Sequence, residues 1–137
     1  MTLNEVYQHS DNVGIDVFYF PLVHSKAKGI ALPDNTVLID VDKIETTEEE
    51  KEVAMHEVAH IEIGTFYTAF SPLALKEKME HKAKSHTIKM LVPMDELISH
   101  IKNGNNQIWE LAEIFEVTPK FMQKAIDYYR TQDGFLQ

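Results

Sequence analysis

His56, Glu57 and His60 are the residues of this chain best placed by type and spacing to do chemistry. They sit in His56-Glu57-Val58-Ala59-His60, an HExxH pattern inside the helix-compatible run Glu48 to Ile63. Positions four apart on a helix point to nearly the same side, so two imidazoles can reach one metal ion. Glu57 lies about 100° round the axis. From there its carboxylate can take a proton from a metal-activated water without being a ligand itself. That chemistry is metal-assisted hydrolysis, and it needs a third protein donor, because a catalytic zinc keeps three protein ligands and one open position. The chain has no Cys, so the donors must be His or carboxylate, and no disulfide framework exists.

Glu80 is the best third donor. Leu73, Glu80, Thr87 and Leu91 fall on one stripe of a helix from Ser71 to Val92, and Ala83 gives room for close approach to a neighbouring helix. A carboxylate within such a stripe needs a partner, since burying it unpaired is expensive. Glu77, one turn earlier, and His81, about 100° away, are rivals. A surface Glu80 paired with Lys76 or Lys84 is the plain alternative. His9, His24, His86 and His100 read as structural or surface histidines, with His24 near enough to an aromatic strand to approach a cleft. Tyr67, after the metal helix, is a possible oxyanion donor, although a core or surface tyrosine is the simpler reading.

Several elements must position these groups. Leu3 to His9 suits a short helix, and Ile15 to Phe20 a strand ended by Pro21. Lys28 to Leu32 and Thr36 to Val41 flank the turn signal Pro33-Asp34-Asn35 and predict an antiparallel hairpin. Thr46 or Thr47 caps the metal helix, with Glu49 or Glu50 at capping-box spacing and Gly64 as its stop. Ser71 is the expected cap of the next helix, with Pro72 in its first turn and Pro93 beyond its end. Shorter amphipathic helices follow on Met94 to Ile101, Ile108 to Phe115 and, from Thr118-Pro119, Phe121 to Tyr128.

Composition narrows the function classes. At 137 residues, 44% hydrophobic, the chain suits one domain with an ordinary core. A net charge of -9 disfavours a surface that wraps nucleic acid. Five lysines between Lys76 and Lys89 run against that balance and read as a solvated helix face. Residues Met1 to Ser10 lack the apolar core of a signal peptide, and no apolar run approaches the roughly 20 residues that span a bilayer, so a cytoplasmic protein without membrane partners is expected.

Two blocks together resemble the ImmA/IrrE metallopeptidases of phages, mobile elements and bacterial stress regulators. The first is His56 to His60. The second runs from Glu80 to Pro93 and is similar to the family's Glu-x-x-Ala segment closing on an apolar pair and Pro. Val58-Ala59 stands where the family commonly has Leu-Gly, and Lys84 and His86 where it has Asn and Phe. The resemblance implies zinc held by His56, His60 and Glu80, with Glu57 as general base and acid. It implies a site-specific peptidase that cleaves or inactivates a helix-turn-helix transcriptional repressor. The expected fold is α+β: a small three-stranded antiparallel sheet packed on a zincin-like HExxH helix, then a mainly helical C-terminal part. Residues 1–93 would carry the sheet and both metal-site helices, and residues 94–137 a helical subdomain of the same domain.

Two other readings compete. Gln107 to Tyr129, within residues 107 to 131, patterns as two amphipathic helices broken at Val117-Thr118-Pro119, which resembles a helix-turn-helix. Glu110, Glu113, Glu116 and Asp127 outnumber Lys120, Lys124 and Arg130 there, which favours packing or protein docking over direct DNA contact. Alternatively the chain binds its regulator stoichiometrically, as an antirepressor or antitoxin with a structural metal. The intact Glu57 argues for hydrolysis, because a structural site needs no general base.

Overall fold

The architecture comes from a computed structural model that describes residues 1–68 and 70–133; residues 134–137 of the expected helical subdomain lie outside the described residues. Helix α1 (Leu3–Asn12) starts at a capping box in which Thr2 and Glu5 bond each other's backbone. Three strands follow, β1 (Asp16–Tyr19), β2 (Gly29–Leu32) and β3 (Thr36–Ile39), then five helices: α2 (Thr47–Glu62), α3 (Leu73–Leu91), α4 (Met94–Lys102), α5 (Ile108–Phe115) and α6 (Pro119–Tyr128). Among the described residues, no helix is long and apolar enough to cross a membrane.

The α+β class is as expected, but the sheet is mixed rather than purely antiparallel. Its order is β1-β3-β2. The expected hairpin is present: β2 pairs antiparallel with β3, with Gly29 opposite Ile39 and Leu32 opposite Thr36. Asn35 turns the corner at φ 64°, a left-handed conformation that Asn tolerates. β1 instead pairs in parallel with β3, Asp16 beside Thr36 and Tyr19 beside Ile39. After β1 the chain crosses to the far edge before returning, so β3 lies between strands that are successive in sequence. Turn residues fix a hairpin locally, whereas the partner of β1 is a long-range choice that no turn signal encodes.

Val37 and Ile39 point from the sheet into the core, both at 0% exposure, and meet Val6 of α1 with Ala54, Met55 and Val58 of α2. Helix α2 begins at Thr46, whose hydroxyl accepts from the Glu49 N–H. The Glu49 carboxylate accepts from the Glu45 N–H rather than from Thr46, so the reciprocal half of the box is missing. Ser71 does not cap α3: the cap position is Pro72, and the Ser71 hydroxyl accepts from the Thr68 N–H within the preceding turn. Leu73, placed on the buried stripe by periodicity, is exposed, because the buried positions of α3 begin only at Ala83 and continue through Thr87, Ile88 and Leu91. At the far end the Tyr129 hydroxyl donates to the Val92 carbonyl at 2.7 Å, tying the end of α6 to the end of α3.

Candidate metal centre

Helices α2 and α3 bring three donors together. His56 Nε2 lies 3.0 Å from Glu80 Oε2, His60 Nε2 lies 3.0 Å from Glu80 Oε1, and the two Nε2 atoms are 3.2 Å apart. All three fall in the only group of donors among the described residues whose ligand atoms lie within 4.8 Å of one another. The four-residue spacing on α2 produces this arrangement, since successive turns stack His56 under His60 with their rings edge to face. Ala83, fully buried one turn after Glu80, lets α3 approach closely enough to present the carboxylate.

The site has supports that fit a metal. His60 Nδ1 donates to the Thr65 carbonyl at 2.8 Å, which orients the ring so that Nε2 faces Glu80 and His56. Thr65 is held there because Gly64, at φ 65°, turns the chain back as α2 ends. Tyr67 donates to Glu80 Oε1 at 2.7 Å, and that bond, with burial, lifts its phenol to about 12. Hydrogen bonds from His56 and then His60 hold the Glu80 carboxyl well below the usual carboxylate range. Burial disfavours a charged His60, yet the Glu80 and Thr65 bonds outweigh it and raise the imidazole above its ordinary value. Two nitrogens and an ionised carboxylate, oriented from behind, form a donor set that fits a metal ion.

Glu57 sits beside the donors on the cleft wall. Burial is the main reason its carboxyl lies above the usual range, with His56 and His60 opposing that rise. Gly29 explains how the sheet edge comes so near: a Cβ there would lie 2.9 Å from Glu57 Cγ and 3.0 Å from Val53 Cγ1. The cleft, of about 930 Å³, is bounded by β2, α2, the loop carrying Phe66 and Tyr67, α3 and α6. β2 is an edge strand. The Asp40 N–H donates to the Lys28 carbonyl, so Lys28, Ile30 and Leu32 take the bonds to β3. The N–H and C=O groups of Gly29 and Ala31 therefore face outward along the cleft.

The rival donors lie elsewhere. Glu77 is exposed and outside the cluster. His81 reaches the cleft but packs near the Tyr128 ring. His9 Nε2 is 2.9 Å from Glu62 Oε1, with His86 Nε2 at 3.7 Å from the same oxygen. His100 rests edge-on against Phe115, and His24 is exposed and does not line the cleft. Sequence reasoning missed Thr65 and Gly29. The first carries no signal beyond following Gly64, and a glycine opening a strand has a plainer use in a turn.

Comparison with known proteins adds two findings. Residues 10–127 match the family model described as peptidase M78, IrrE N-terminal-like domain. No curated protein matches the chain significantly.

Proposed function

The chain belongs to the IrrE N-terminal-like peptidase family M78, and from that premise we propose that it is a zinc-dependent, site-specific peptidase. In this reading His56, His60 and Glu80 are the metal ligands, Glu57 is the catalytic residue, and the substrate is a cytoplasmic helix-turn-helix repressor of a phage or mobile element. The observation that carries it is a half-buried carboxylate, Glu57, without a hydrogen-bonding partner among the described residues, set beside three convergent donors in an open cleft.

When bound, the metal supplies Lewis acidity, which makes water a nucleophile near neutral pH and polarises a carbonyl. The residues do the rest. An extended substrate segment pairs with the outward N–H and C=O groups of Gly29 and Ala31, which lays a peptide bond across the helix face carrying Glu57. Glu57, made a better base by burial, accepts the proton of the attacking water and passes it to the leaving amine. Tyr67 and Thr65 keep Glu80 and His60 in place. A chain of net charge -9 suits a partner with a basic face, as DNA-binding regulators have.

The test is elemental analysis of the untagged protein and of Glu80→Ala, followed by incubation with the candidate repressor. About one zinc per chain, falling sharply in the variant, with a discrete repressor fragment from the wild type alone, is the expected result. Stoichiometric zinc with derepression that survives Glu57→Gln would make the chain a binding module and reject peptidase action.

A further inference from the structure

The loop that leads into β2 has almost no apolar anchor. From Leu22 to Lys28 only Leu22 is buried, and Val23, His24, Ser25, Lys26 and Lys28 are exposed. Burial of apolar surface therefore contributes little to fixing its path, and polar groups take over that task. Lys43 ends a short helical turn (Val41–Lys43) just after β3, and its ammonium donates to the carbonyls of Leu22 at 2.7 Å, Ser25 at 2.6 Å and Ala27 at 3.1 Å. An ammonium has three N–H donors, so each meets one acceptor. Asp40, a buried carboxylate, lies 3.4 Å from the same ammonium and accepts from the Leu22 N–H at 2.9 Å. The Asp40 N–H donates to the Lys28 carbonyl at 2.9 Å. Among the described residues, Leu22 to Ala27 form hydrogen bonds to the rest of the chain only through Asp40 and Lys43.

This loop delivers the edge of the cleft. Ala27 and Lys28 line it, and Gly29 opens β2 beside Glu57. The end of a short ladder frays readily, and glycine has more backbone freedom than any other residue there. A cation that gathers three carbonyls immediately upstream restricts that freedom. We propose that Lys43 is a positioning residue for the substrate: by clamping Leu22 to Ala27 it holds the start of β2 in place for an extended segment to pair with. Lys43 does not line the cleft and acts through the backbone. The proposal rests on the reading in which the substrate pairs with Gly29 and Ala31. A preformed edge lowers the ordering cost of binding in the ground state and the transition state alike, so its loss falls on KM rather than kcat.

The experiment compares zinc-loaded wild type with Lys43→Met, which keeps the stem and removes the ammonium. The substrate is a fluorogenic peptide spanning the cut that wild type makes in the candidate repressor. Lys43→Met should raise KM about tenfold with kcat within about twofold and zinc content unchanged. Exchange of the Asp40 N–H, followed by NMR, should quicken about tenfold, while the Val58 amide in α2 keeps its protection. An unaltered KM, a fall in kcat at constant KM, an Asp40 exchange rate that does not move, or equal loss of protection at Val58 would overturn the proposal. If wild type cuts no repressor, the peptidase reading fails, and anisotropy of fluorescently labelled repressor decides the clamp. Binding about tenfold weaker in Lys43→Met keeps it, and equal or absent binding rejects it.

Discussion

Helix α2 carries two sets of charged side chains that the fold treats in opposite ways. In its first half, Lys51 is 1% exposed and its ammonium donates to the carbonyls of Met1, at 2.7 Å, and Phe115, at 2.8 Å. Its neighbour Glu52 accepts from the N–H and hydroxyl of Thr118, the cap of α6. Both groups are saturated by groups that are fixed once the chain folds. One turn further on, His56, Glu57 and His60 face a cleft, and the Glu57 carboxylate has no hydrogen-bond donor among the described residues. The contrast separates two uses of charge on one helix. Saturated charges fasten α2 to the N-terminus and to α5 and α6, and the unsaturated one is left able to change its proton.

Substitutions can break or sharpen this comparison. The largest effect is expected at Glu57→Gln, which keeps the shape and removes the base. Cleavage should fall by about 10²–10⁴, with zinc content and unfolding midpoint unchanged. Loss of zinc in parallel with rate would place Glu57 among the ligands and dissolve the distinction. On the other side of the helix, Lys51→Ala leaves two buried carbonyls unmet and should lower stability by about 2–4 kcal/mol, read by urea unfolding. Zinc stoichiometry measured well below the transition should stay the same.

Gly29→Ala tests the approach of the sheet edge to the site. Its new methyl would meet Glu57 Cγ and Val53 Cγ1, so β2 must shift outward by a few tenths of an ångström. We expect a fall in kcat of about tenfold with zinc retained, whereas an unaltered rate would mean that the edge strand does not hold the substrate. The smallest effect is expected at Glu52→Gln. Burial raises the Glu52 carboxyl above its ordinary 4.5, so the folded chain binds that proton better than the unfolded chain. The resulting stabilisation is complete below the unfolded value and disappears as pH rises through the folded value. The amide removes this dependence, so its unfolding free energy should stay within about 1 kcal/mol of wild type and vary less with pH just above 4.5.

Helix periodicity made the candidate metal donors legible before any fold was known. His56 and His60 are four residues apart on one segment, and Glu80 is marked by its stripe and by Ala83. Both signals depend on backbone geometry repeated within a few residues, which a sequence carries directly. The hairpin around Pro33-Asp34-Asn35 and the cap at Thr46 were readable for the same reason. Tertiary structure decided the parallel pairing of β1 with β3, the Thr65 and Tyr67 bonds that hold His60 and Glu80, and the approach of Gly29 to Glu57. Each of these depends on how separate elements turn toward one another as they bury apolar surface. Packing of the whole chain sets that orientation, and no local pattern of residues encodes it.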